Sequence, residues 1–181
     1  IQNIEILKQN ANQGIAVART DVDNLVRRLP LLMRTNDGWV SSYGTEVLKL
    51  LAGSDTYVIR TNANGVEEVR VKGLPPVKTD SLGRKWISWV DTPQTTLAEM
   101  NVENKFVFVG FTAKGIMPQV ATPVGLLEPH KIQAALAESI LIQDSPYIPD
   151  YGKAVEILLL LVIIILTWIL INIFGISLGI I

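Results

Sequence analysis

Apolar and polar positions alternate in short blocks along most of this chain, and from residue 154 onward the polar positions nearly vanish. The final block reads AVEILLLLVIIILTWILINIFGISLGII and holds a single charge, Glu156. A helix needs ~20 predominantly apolar residues to cross a hydrocarbon core, and ionised side chains are costly there. The alternative, a buried helix of a soluble protein, needs more surrounding mass than 181 residues readily supply. The pattern therefore predicts a membrane segment. NIFG at 172–175 is turn chemistry followed by a new apolar run. The segment thus reads as one long tilted helix or as a hairpin with its second helix just begun, and the hairpin is preferred.

Ahead of it the periodicities change every few residues. Apolar spacing at 1–9 predicts a short helix that Gly14 breaks, and IAVA at 15–18 reads as a buried strand. Residues 26–34 read as extended, with Pro30 forcing an edge position or a bend. Asn36-Asp37-Gly38 is a turn with Gly38 at positive φ. Residues 41–52 predict a helix: a serine cap, Glu46 early, Lys49 late, Gly53 just beyond, and an apolar face of Tyr43, Val47, Leu50 and Leu51. Residues 56–60 and 66–71 flank Asn62-Ala63-Asn64-Gly65 as a hairpin, and RKWISWV at 84–90 alternates as a strand with Trp86 and Trp89 on opposite faces. Residues 95–100 suit one helical turn, and KFVFVG at 105–110 has the strongest strand signal, apolar enough to be buried on both faces. Thr122 to Gly125 is a turn, and 129–143 predicts a helix with Pro129 at its first position and Ile132, Ala135, Leu136 and Ile140 on one face. Strands and helices so mixed predict an α/β domain over 1–150, followed by the membrane segment at 151–181.

Composition narrows the function. Residues 1–153 hold all 16 Lys and Arg and 16 of the 17 Asp and Glu, so no basic stripe invites nucleic acid. There is no cysteine, hence neither a disulfide framework nor thiolate chemistry. The lone histidine, His130, reads as a surface residue, and with only Glu128 nearby no metal set is expected. Ser139 lacks a nucleophile-elbow sequence, no phosphate-loop motif is present, and no catalytic residues or cofactors are expected from these residues. IQNIEILKQN reads like the middle of something longer.

Three passages together resemble the CHASE type two family of extracytoplasmic sensors. They are VDNLVRRLPLL at 22–32, KFVFVGFTAKG at 105–115 and ATPVGLLEPHKIQAALAESIL at 121–141. Asn24, Asn104 and His130 stand where that family's pattern has glycine, and Lys131 where it has valine; asparagine also tolerates a left-handed backbone. The resemblance implies a mixed-sheet, periplasmic or extracellular input domain of a bacterial receptor in the inner (plasma) membrane. It implies an output domain beyond the membrane helices, such as an adenylate cyclase, histidine kinase or serine/threonine kinase. It also implies that the family's first half and the output lie outside this sequence.

Within that reading, the glycine-rich loop after 105–110 is the candidate ligand contact, through Thr112, Lys114 and Gly115. Pro146, Tyr147, Pro149 and Tyr151 form a stiff, aromatic linker that carries the signal into the bilayer. Gly175 and Gly179 have the G-x-x-x-G spacing that favours helix pairing, so a homodimer is expected, together with an unknown extracytoplasmic ligand or protein. A subunit that only assembles with a larger membrane complex is the competing expectation, and an independent enzyme ranks last.

Overall fold

The computed structural model describes residues 4–36, 38–90, 92–96, 98–99, 101–113, 115, 118–143, 146–149 and 151–175. The chain divides into two units, Ile1–Tyr147 and Ile148–Ile181. The first contains α1 (Glu5–Asn10), β1 (Arg28–Pro30), β2 (Leu32–Thr35), β3 (Gly38–Ser41), α2 (Tyr43–Leu51), β4 (Tyr57–Asn62), β5 (Gly65–Val71), β6 (Val77–Lys78), β7 (Arg84–Trp86), β8 (Val120–Thr122), β9 (Gly125–Leu127) and α3 (Pro129–Ile142). The second contains α4 (Gly152–Phe174).

All the sheets are small and antiparallel: β1 with β7, β2 with β3, β8 with β9, and the three-stranded β4-β5-β6. The extended run at 26–34 bends at Leu31, immediately after Pro30, and so serves two sheets, β1 pairing with β7 and β2 with β3. Gly38 takes φ +128° to close the β2–β3 hairpin; Asp37, the middle of that predicted turn, lies outside the described residues. The β4–β5 hairpin closes with Asn62 opposite Gly65. The turn at Pro123-Val124 sits inside the β8–β9 hairpin, whose flanking strands the sequence pattern did not announce.

Helices α2 and α3 carry the core. Ser42 Oγ accepts the Thr45 N–H at 3.3 Å, the cap expected for α2. The buried face of α2, however, is Gly44, Thr45, Glu46 and Leu48, whereas Tyr43, Leu50 and Leu51 are exposed. The reason is a close helix crossing. A Cβ on Gly44 would come within 2.9 Å of the Gln133 carbonyl of α3, and Gln133 Oε1 accepts the Gly44 N–H at 3.0 Å. The smallest residue, not the largest ones, therefore sets the contact face. On α3 the four predicted residues Ile132, Ala135, Leu136 and Ile140 are all buried, joining Val26, Leu29, Leu31, Leu32, Leu48, Val69 and Ile87 in one cluster.

Two predicted strands are corrected. Residues 15–18 form only a single parallel bridge, Ile15 with Ser42, and Val17 is exposed. The main chain of Ile15 meets just the junction of β3 and α2, with bonds to Ser41 and from Tyr43, which leaves no strand for its neighbours to pair with. Residues 105–110 belong to no ladder at all. Phe106, Val107, Val109 and Phe111 are 53, 40, 65 and 71 % exposed, where burial on both faces was expected. Strand-forming side chains become a strand only beside a partner, and among the described residues none of the nine strands lies alongside.

In the second unit, α4 is a continuous 23-residue helix with mean hydropathy 3.0 over the candidate span Gly152–Ile173 and no charge after Glu156, which gives it the length and composition to cross a bilayer. It runs straight through Asn172 to Phe174 and stops at Gly175, where φ is +71°. The second helix of the expected hairpin, residues 176–181, lies outside the described residues.

Candidate ligand cavity

The N-terminal half of α3 forms the floor of a cavity of about 940 Å³. That volume lies in the range of small-molecule sites, ~300–1,000 Å³. Ala134 and Ala135 line the floor, and their short side chains leave the space above them open. One wall is Trp89, Val90 and residues 92–96, with Glu99 and Asn101. The opposite wall is 105–110 with Thr112, and Val124 and Leu127 of the β8–β9 hairpin close one side.

The walls are held to the helices by specific bonds. Ser139, completely buried in α3, accepts the Ser88 N–H at 2.9 Å. Thr92 Oγ1 donates to Glu138 Oε2 at 2.6 Å. On the other side, the Phe108 ring meets Tyr43 edge-on with centroids 5.6 Å apart. Phe108 is thus the point at which the open segment is fastened to α2.

His130 and Lys131, in the first turn of α3, present the polar end of the floor. Lys131 Nζ lies 3.0 Å from Glu128 Oε2, and Gln119 Nε2 donates to Glu128 Oε1 at 3.1 Å. The Lys131 hydrogen bond, and then that from Gln119, hold the Glu128 carboxyl down at about 2. His130 is not the surface residue expected. Its Nδ1 is fully buried with no hydrogen-bond partner among the described residues, and burial pushes the imidazole below its ordinary value, the Glu128 charge opposing only in part. Its ring lies against Gly110, where a Cβ would overlap Cγ and Nδ1.

Of the loop residues singled out in the sequence, Thr112 lines the cavity. Gly115 is exposed, with φ +87° and open space around it, and does not line the cavity. Lys114 lies outside the described residues. Sequence reasoning missed Trp89, Thr92, Phe108, His130 and Ala134. The signal available for them was the Ala134-Ala135 pair, two adjacent small residues in α3. Among the described residues, no group of three or more His, Asp or Glu side chains is placed to hold a metal ion.

The linker residues divide between the two units. Pro146 is exposed, and Lys78 of β6 stands 5.2 Å from the centre of the Tyr147 ring. Pro149 accepts the Gly152 N–H at 2.9 Å and Tyr151 accepts the Val155 N–H at 3.0 Å, so both form the entry to α4. Gly175 ends α4, and Gly179, the other half of the proposed helix-pairing motif, lies outside the described residues.

Two of the three substituted glycines behave as their backbone demands. Asn24 has φ +62° and Asn104 φ +54°, so asparagine keeps the left-handed turn at both places. Among curated proteins and among solved structures, none matches the chain. The CHASE2 domain model matches residues 2–172, and the chain belongs to that family of extracytoplasmic sensory domains.

Proposed function

We propose that residues 1–150 are the input domain of a bacterial receptor in the inner (plasma) membrane, on its outer side. In this reading the cavity over α3 takes the stimulus, and α4 relays its occupancy to a cytoplasmic cyclase or kinase. The observation that carries the reading is the combination, in a sensory family, of a large cavity of mixed polarity with an apolar helix later in the chain that is long enough to cross a bilayer. A signal requires that the ligand bind the two states of the receptor with different affinity. The cavity walls supply a basis for that difference, since they are tied to α2 and α3 by the few bonds from Ser139, Glu138 and Tyr43.

The test is made in the full-length receptor in its own membrane. Ala134→Trp fills the cavity from its floor, and a run of glycines inserted between Tyr147 and Pro149 loosens the path to α4. Each is expected to abolish the stimulus-dependent change in output while leaving protein level unchanged. An output that follows the stimulus normally in both variants would overturn the reading.

A further inference from the structure

Eight consecutive residues, 106–113, form a wall of the cavity or its continuation, and their main chain is open. Among the described residues, none of their N–H or C=O groups has a hydrogen-bond partner. Buried main-chain groups are rarely left unpaired; these lie in a largely exposed segment, open to solvent or to a partner strand, and they fall in the segment of strongest strand-forming sequence, FVFVGFTA. Phe108 is anchored to Tyr43 and Gly110 lies against the His130 ring, while Val107, Val109 and Phe111 remain exposed. The charges of the lining balance. Lys131 is neutralised by Glu128, burial favours the uncharged form of His130, and Lys105 and Glu99, neither in an ion pair among the described residues, offset each other. Among the described residues the lining thus carries no excess charge, and an uncharged chain of peptide groups matches both the open main chain and the apolar lining.

We propose that the ligand of this cavity is an extended polypeptide segment with alternating apolar side chains, added as a strand along 106–113. Affinity would come from main-chain hydrogen bonds and selectivity from alternate side chains entering the space between Trp89, Phe106 and Ala134. The free edge runs ~26 Å at about 3.3 Å per residue, long enough for a six- to eight-residue partner. The proposal deepens the sensory reading above and rests on it.

The experiment uses the full chain in lipid nanodiscs and a phage-displayed library of random dodecapeptides, with empty discs subtracted. Enriched peptides are expected to alternate apolar and polar residues and to slow amide exchange at 106–113 by about tenfold or more. Val109→Pro, which removes one main-chain donor, should weaken them about tenfold, while Val109→Ala, which keeps it, should retain most of the binding. Three results would overturn the proposal: no peptide enriched over empty discs, a peptide that binds without protecting 106–113, or protection of those amides by self-association before peptide is added. Should any of these occur while Ala134→Trp still silences the receptor, the sensory reading stands and only the peptide assignment falls.

Discussion

The imidazole of His130 occupies the space that a side chain on Gly110 would need. One residue belongs to the floor of the cavity and the other to the wall that meets it, and each is explained by the other. A histidine can stand at the start of α3, where the family pattern has glycine, because Gly110 makes room for its ring. Gly110→Ala should therefore destabilise the domain by about 1–3 kcal/mol through overpacking. His130→Ala in the same chain should recover most of the loss. Thermal unfolding of the two single variants and the double variant measures the coupling, and additive effects would contradict it.

The same histidine gives the domain a pH response. Its folded value lies below the ordinary 6.5, so in the window just below 6.5 the unfolded chain binds more protons than the folded one. Stability is then unaffected above 6.5 and declines as pH falls through that window. Glu128 acts in a second window: its folded value of about 2, against 4.5 ordinarily, contributes stability above 4.5 that is lost as pH falls toward 2. Stability against pH should show both declines in the parent, lose the upper one in His130→Ala, and show a smaller lower one in Glu128→Gln, where Asp23, also held below its ordinary value by Arg27, still contributes.

Ser139→Ala removes the acceptor of the Ser88 N–H and the donor 2.6 Å from the Ala135 carbonyl, at a site with no access to water. The helical carbonyl retains its backbone partner, but the Ser88 N–H loses its own. A loss of about 1–3 kcal/mol is expected, read as a lower denaturant midpoint. Faster amide exchange at Ser88 should accompany it, because this bond fixes one cavity wall to α3.

Arg28 joins two carboxylates. It hydrogen-bonds Asp21, lies 3.0 Å from Asp80 Oδ2, and sets its guanidinium 5.1 Å from the centre of the Trp86 ring. Arg84 reaches the same pair of carboxylates, at 2.8 Å from Asp80 and 3.7 Å from Asp21. Arg28→Ala leaves Arg84 alone between two half-buried acids and should cost about 2 kcal/mol, below the ~3–5 kcal/mol of a fully buried pair. Arg28→Lys, with no planar fork to bridge the acids and cover the indole, should recover little of it.

Helix α4 has a wide margin of hydrophobicity. A lysine at its centre costs ~3 kcal/mol, against roughly half a kcal/mol gained by each Leu, Ile or Val. Ile163→Lys alone should leave the chain in the membrane pellet after alkaline carbonate extraction. Lysine at Leu160, Ile163 and Leu166 together should release it.

Local chemistry was legible wherever it acts on its own neighbours. The Ser42 cap, the bend after Pro30, the glycine turn at 38, the Asn62–Gly65 hairpin and the apolar face of α3 all follow from residues within a few positions of one another. What escaped depends on distant partners. Tyr43, Leu50 and Leu51 looked like the core face of α2, but the proximity of α3 at Gly44 turned that helix. Residues 105–110 have every side chain a buried strand needs, and sequence pattern does not say whether a neighbouring strand is present. The cavity was half legible for the same reason. Thr112 came from its place after that segment, whereas His130 and Ala134 became lining residues only through the approach of Gly110 and the wall from Trp89.

The open main chain at 106–113 also has a cost before any stimulus arrives. Phe106 to Phe111 is a run of five apolar residues and one glycine with no charge and no proline, the composition from which cross-β stacks are built. On a soluble protein at high concentration such an edge would seed aggregates. Glu103 and Lys105 precede the run and Lys114 follows it, charges placed as gatekeepers at its ends but none within it. Each copy of the chain carries α4, however, and a helix spanning a bilayer would restrict the orientations in which two copies can meet. Anchorage would then serve the solubility of this domain as well as its communication, and the domain severed from α4 should precipitate on storage.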